Sequence, residues 1–294
     1  MKEGNMIVDT HVHIVSDDRK KYPRTSDRAP DASAPSVRDV GQPEWPAFTI
    51  ETLIEKMDEN GIDRALLVQT YYTYQFDNTY MIDCALSHRD RFQSVCVIDP
   101  LAPDAPDLLS ELVKEHSVRG LRMMHGLGKN VLGDKRTFPL WERASALGIP
   151  VCISARISEL PDARVPIERF TNVKVALEHP WGLDVGDPPY DKLKPLWDMA
   201  RYLHVYLKTA PNNSHAAREG KSTPRQFFGK LVESFGAKRI MWGSNYPAHW
   251  HKYGHIKERL KIMEEDFSFL SAEERRWIFG ETALSLWPSL RNGK

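Results

Sequence analysis

What the 294-residue chain has little of narrows the field first. It holds three cysteines, Cys84, Cys96 and Cys152, an odd number that cannot close into a full disulfide framework. Two of them sit in apolar runs, where a thiol behaves as a small hydrophobe, and this fits a reducing compartment. No uninterrupted apolar stretch approaches the roughly 20 residues of a membrane span, and the charged start has no apolar segment behind it of the kind a secretory signal needs. These features predict a cytoplasmic protein with no membrane partner. There is also no excess of either charge: Lys and Arg number 40, Asp and Glu 40, so no overall field draws the chain to nucleic acid. Hydrophobic residues at 41% and charged residues at 27% are the usage of a folded globular chain.

What is present is an alternation of short β-branched runs with longer amphipathic stretches. Strands are expected at residues 6–10, 64–69, 94–98, 118–123, 150–154, 173–177, 204–207 and 239–242. Helical patterns fill the gaps at 50–60, 80–88, 105–116, 138–147, 190–201, 223–235 and 255–265, with a shorter, weaker one at 160–170. Gly61, Gly148 and Gly236 stand where helices should stop before a strand. Eight βα units without repeat or linker predict an α/β chain forming a single domain over 1–294, a (β/α)8 TIM barrel. A further helix is expected at 271–286, opened by a capping box of Ser271 and Glu274. Residues 15–49, with five prolines, form a long connection between the first strand and the first helix, read as a lid over the carboxyl ends of the strands.

The first strand ends Asp9-Thr10-His11-Val12-His13. Strand alternation predicts Asp9, His11 and His13 on one face, so that two imidazoles converge at the barrel mouth. Such a pair can hold a divalent cation or polarise a carbonyl, or it can be a hydrogen-bonded pair in a polar core. The sixth strand ends Glu178-His179-Pro180 and the eighth Gly243-Ser244-Asn245-Tyr246-Pro247, each stopped by a proline, which places His179 and Asn245 at the same rim.

Together with Phe76-Asp77-Asn78-Thr79-Tyr80 and Arg119-Gly120-Leu121-Arg122, these segments resemble the amidohydrolase superfamily, in the amidohydrolase-related branch of pyrone-dicarboxylate and sugar-acid lactonases and amino-carboxymuconate-type decarboxylases. The resemblance runs over nearly the whole chain. It implies a barrel fold, catalytic roles for His11, His13, His179 and the residue at 245, and, in metal-using members, one Zn2+ or Mn2+ on His11, His13 and His179; other members work without metal. The chain departs from the pattern at one place, where the eighth-strand Asp is Asn245. An amide cannot accept a proton near neutrality as a carboxylate does. Three explanations stand: an engineered Asp→Asn change, a base role taken over by a neighbour such as His179, or the loss of hydrolysis.

Cationic groups at strand ends, Arg122, Arg156 and Lys208, predict a small anionic substrate, since guanidinium groups clamp carboxylates. Tyr71, Tyr72 and His249 are candidates for lining the pocket, alongside Tyr74, His125 and His251. The expected function is a hydrolase that opens a small carboxylated lactone by water attack. The alternatives are a metal-dependent decarboxylase of an aromatic or muconate-type acid, or a catalytically silent binding protein. Whether the chain forms a homo-oligomer is left open.

Overall fold

The computed structural model describes residues 5–25, 47–125, 127, 131–179, 188–219 and 222–292. Eight parallel strands follow one another in chain order: β1 (Val8–Val12), β2 (Arg64–Val68), β3 (Phe92–Cys96), β4 (Val118–Met124), β5 (Val151–Ser154), β6 (Val175–Glu178), β7 (Val205–Thr209) and β8 (Ile240–Trp242). The ends of the sheet meet just past β8: Val12 bridges Tyr246 in parallel, Asn245 N donates to His11 O at 2.7 Å and His13 N to Tyr246 O at 2.8 Å. The result is a (β/α)8 barrel, as the alternation predicts.

Local chemistry explains the elements. In the helix Ile50–Glu59, Thr49 caps the amino end with its side chain on Thr52 N, and Ile50, Leu53 and Met57 form the buried stripe. The helix Phe138–Leu147 ends at Gly148, whose φ of 66° only a residue without Cβ adopts freely. The segment expected to be weak is a ten-residue helix, Leu160–Arg169. Pro161 occupies its first turn, where no N–H is needed, and Leu160, Ala163, Pro166 and Ile167 are buried along one face. The stretch 190–201 is shorter than its periodicity suggests, a 3-10 turn Asp191–Leu193 running into the helix Lys194–Met199. A helix not anticipated, Pro211–Glu219, follows β7.

β1 starts two residues later than expected, so His11 lies inside the strand and His13 one residue beyond it. Val8 packs with Leu66, Val68, Val95, Cys152, Ala176 and Met241 in an inner layer of the barrel. The β1–β2 register shifts between Asp9 and Val12, and this irregularity changes the phase of the strand. Asp9 therefore does not line up with the two histidines as simple alternation predicts.

The expected terminal helix is broken into Ala272–Arg276, a wider turn Trp277–Glu281 and Thr282–Leu286. Its last part, with Trp287 and Leu290, joins the inner layer at the amino-terminal end of the barrel, where Trp287 Nε1 donates to Arg119 O at 2.9 Å. That floor is closed; function belongs at the other end. The ends of the long connection after β1 are pinned by antiparallel pairing of Val15 with Phe48. The expected lid falls largely on residues 26–46, outside the described residues. All three cysteines are free and buried, and burial pushes their thiols up to between about 11 and about 12. Among the described residues, no helix is long and apolar enough to cross a membrane.

Candidate active site

The carboxyl ends of β1 and β6 bring three imidazoles together. His11 Nε2 and His13 Nε2 lie 3.2 Å apart, with their rings at 84°, and the His179 ring stands edge-on to His11 at a centroid distance of 4.5 Å. All three are buried. His13 Nδ1 sits 2.8 Å from Val68 O; a carbonyl only accepts, so the ring carries its proton on Nδ1 and presents a lone pair at Nε2. Burial keeps all three rings neutral. It lowers His13 to about 3, helped by Arg122, and His179 to about 3 against the pull of Glu178, and it holds His11 well below the usual histidine value.

The seam between β1 and β8 sets the height of this cluster. Asp9 Oδ1 accepts from His11 N at 3.1 Å and Ser244 N at 2.8 Å, a buried carboxylate joining two strands through their amides. Burial raises Asp9 to about 6 in spite of those bonds. Gly243 lies against His11: a Cβ there would come within 2.9 Å of His11 Cβ and 3.2 Å of His11 N. Gly243→Ala must push the two strands apart at the histidine. We expect it to destabilise the protein by about 1–3 kcal/mol and to lower turnover up to about 100-fold, as read by thermal melts and steady-state kinetics.

Asn245 follows, buried and in the left-handed region at φ 53°, which Asn and Asp tolerate better than other side chains. The loop it opens is organised by Arg259, fully buried, whose guanidinium donates to Ser244 O, Asn245 O, Ala248 O and Gly254 O at 2.7–3.0 Å. Sequence reading passed over Arg259. Its position inside an amphipathic helix, in phase with buried Ile256, Leu260 and Met263, is the signal that was there to find it.

Behind the imidazoles lies a buried charge cluster. Arg122 Nε donates to Glu178 Oε2 at 2.7 Å, Lys208 Nζ lies 3.3 Å from Glu178 Oε1, and His11 Nδ1 lies 3.3 Å from the same oxygen. Burial pushes Glu178 upward, but Arg122, His11 and Lys208 together hold it well below the usual carboxylate range. The expectation that Lys208 holds substrate is corrected here. Its side chain is fully buried, its ammonium faces Glu178, and the ring of Trp287 lies 5.8 Å away.

The other sequence candidates are more scattered. Arg122 is buried beside the cluster, and its terminal nitrogens make no hydrogen bond to a described residue. Arg156 is exposed, with its backbone N–H bound to Glu159 Oε2, so it is not brought to the imidazoles. Tyr71 and Tyr72 are half-buried on a short turn after β2, their rings 5.8 Å apart. His249 is half-buried and left-handed at φ 51°, near His251 and Tyr253. Asn78 of the Phe76–Tyr80 segment is structural: its side chain donates to Phe76 O and Val97 O and accepts from Val97 N.

The donor set suits a divalent ion. Two lone-pair nitrogens on one tetrahedral zinc stand about 3.3 Å apart, which the His11–His13 pair already matches. Among the described residues, no group of three or more metal-binding side chains is closed around one point, so the pair is set and a third ligand is not.

Comparisons with known proteins agree with this architecture. A family model described as Amidohydrolase matches residues 8–288. An L-fucono-1,5-lactonase from Burkholderia ambifaria is 24% identical over 268 residues, 81% of this chain and 88% of that one. A Burkholderia multivorans amidohydrolase solved with bound zinc superposes with a TM-score of 0.75 at 18% identity, covering 96% of this chain and 99% of that one. A Pseudomonas putida structure named for 2-pyrone-4,6-dicarboxylic acid hydrolysis gives 0.75 at 19% identity over 98% and 99%. At these identities the structural likeness is one of fold.

Proposed function

Because the chain belongs to the amidohydrolase family, we propose that it is a cytoplasmic hydrolase that opens a small carboxylated lactone by attack of water on the ring carbonyl. The observation that carries this reading is the convergence of His11, His13 and His179, with Asn245 N bound to His11 O and a buried arginine, Arg122, paired to the Glu178 that precedes His179. The relative named as a fuconolactonase supports the cyclic-ester class.

Arg122 would take the substrate carboxylate on its terminal nitrogens, while Glu178 fixes its Nε edge. This places the ring carbonyl toward the imidazoles. Water adds to the carbonyl carbon, the acyl–oxygen bond breaks, and the ring oxygen leaves with a proton to give a hydroxy acid. Asn245 can orient the water but not deprotonate it. His11 and His13 face each other, so His179 is the neutral imidazole left to accept that proton. His11 and His13 would hold a zinc or manganese ion, which when bound would supply Lewis acidity at the carbonyl and make the water more acidic, with His179 kept as the base rather than as a ligand.

The test compares the protein with Asn245→Asp on carboxylated and uncarboxylated lactones, with elemental analysis of both preparations. The expected result is turnover confined to carboxylated lactones and raised roughly 10²- to 10⁴-fold by the aspartate. No lactone opening by either version overturns the reading. Asn245 itself favours a second reading, decarboxylation of an aromatic or muconate-type acid, which needs no activated water. Release of CO2 by a metal-loaded preparation without lactone turnover selects it.

A further inference from the structure

The Asn245 side chain makes no hydrogen bond to a described residue, so no bond of its own aims its amide and the direction falls to the backbone. That backbone lies in the left-handed region at φ 53°, which a residue with a Cβ occupies at a cost and keeps where its surroundings enforce it. The two peptide groups flanking its Cα are each held at both ends. In the first, Ser244 O accepts from Arg259 Nη1 at 2.9 Å and Asn245 N donates to His11 O at 2.7 Å. In the second, Asn245 O accepts from the same Nη1 at 3.0 Å and Tyr246 N donates to Ser244 Oγ at 3.1 Å. Peptide groups are rigid planes, so the orientations of these two set φ and ψ at residue 245.

We infer that Arg259 is the positioning residue for Asn245: one guanidinium nitrogen, bonded to the carbonyl on either side, fixes both peptide planes and with them the direction of the amide. The rest of the fork spans the same loop, Nε reaching Gly254 O at 2.8 Å and Nη2 reaching Ala248 O at 2.7 Å. Arg259 is fully buried, and every hydrogen bond it makes to a described residue ends on a backbone carbonyl rather than a carboxylate. A buried cation spent in that way shapes a loop. The helix that carries it, Ile256–Asp266, is itself anchored at its far end, where Asp266 accepts from both terminal nitrogens of Arg218 at 2.5 and 2.9 Å. The inference deepens the hydrolase reading, in which Asn245 orients the attacking water, and rests on it for the effect on turnover; the backbone geometry is measured apart from turnover.

Lysine at 259 keeps the charge and the stem, but its three N–H groups leave one atom and cannot span carbonyls from Ser244 to Gly254. Crystal structures and steady-state kinetics are compared for the wild type, Arg259→Lys, Asn245→Gly and the double variant. Arg259→Lys is expected to show residue 245 outside the left-handed region or its amide turned from the wild-type direction, and to lose roughly 10- to 100-fold in kcat. A clamp that acts through the amide has nothing to aim once the amide is gone. In the Asn245→Gly background the same change is therefore expected to cost less than about threefold, whereas an arginine that only supports the fold costs the same factor in both backgrounds. Losses that simply multiply overturn the inference, as does a folded Arg259→Lys with Asn245 unmoved or kcat unchanged. Should Arg259→Lys fail to fold, Asn245→Ala, which leaves the clamp intact, decides: residue 245 is expected to stay left-handed with both carbonyls on Arg259, and an alanine relaxed to negative φ overturns the inference. Absence of lactone turnover in the wild type sinks the reading of function and leaves the crystallographic comparison to judge the clamp.

Discussion

With His13 replaced by alanine, kcat/KM toward a carboxylated lactone is expected to fall roughly 10²- to 10³-fold, and a zinc-loaded preparation to lose its metal on dialysis. The reason is the preparation of one atom. His13 Nε2 stands 3.2 Å from His11 Nε2 and is held there by the Nδ1 bond to Val68 O, so no neighbouring nitrogen can take its place. Removing it leaves His11 as a single ligand, and single imidazoles do not retain zinc. His249→Ala is the control: the ring is half-buried beside His251 and Tyr253, on the loop beyond the cluster, and its loss is expected to change kcat/KM less than tenfold. Steady-state kinetics and elemental analysis of both variants check this pair of outcomes. Near-native turnover by His13→Ala removes the imidazole pair from the chemistry.

The barrel was readable because its strands are written in apolar runs, and the apolar periodicity of each helix survives even where proline intervenes, as at Pro161 and Pro166. His179 and Asn245 lie past the carboxyl ends of β6 and β8, at the rim the sequence assigned them, although β8 stops at Trp242, well before Pro247. Less legible was anything set by depth. Lys208 and Arg122 look alike from the sequence, each a cation near a strand end, yet the first is wholly enclosed and the second adjoins the site. Strand phase carried that information. Glu178 alternates with outward Val175 and Leu177 and follows inward Ala176, so a carboxylate in that phase points into the barrel and needs partners there. Arg122 and Lys208, on strands 4 and 7, supply them. The phase change in β1 was not legible, because a register shift leaves no residue signature in Asp9-Thr10-His11. Its consequence is that Asp9 joins the seam to β8, where its carboxylate binds two amides, rather than facing the histidines.

The same burial that keeps the imidazoles neutral should make the metal-free protein acid-labile. His13 and His179 are ordinarily half-protonated at 6.5 and in the fold only at about 3. Between those values the unfolded chain binds protons that the native one refuses, so the stability they support is complete above 6.5 and drains away as pH falls. At pH 5 this amounts to roughly 2 kcal/mol for each ring. Asp9 works in the other direction: raised from 3.8 to about 6, it binds its proton sooner in the fold than in the unfolded chain and returns roughly 1 kcal/mol between pH 6 and 5. The rings outweigh it, and a net loss of about 3 kcal/mol corresponds to a fall in Tm on the order of 5–10 °C between pH 7 and 5. Thermal melts of chelator-treated protein over that range measure it. His179→Gln, which removes one of the two rings counted in that sum, should cut the loss by about two-thirds, and a Tm that holds level or rises toward pH 5 contradicts the neutral imidazole cluster on which the proposed chemistry stands.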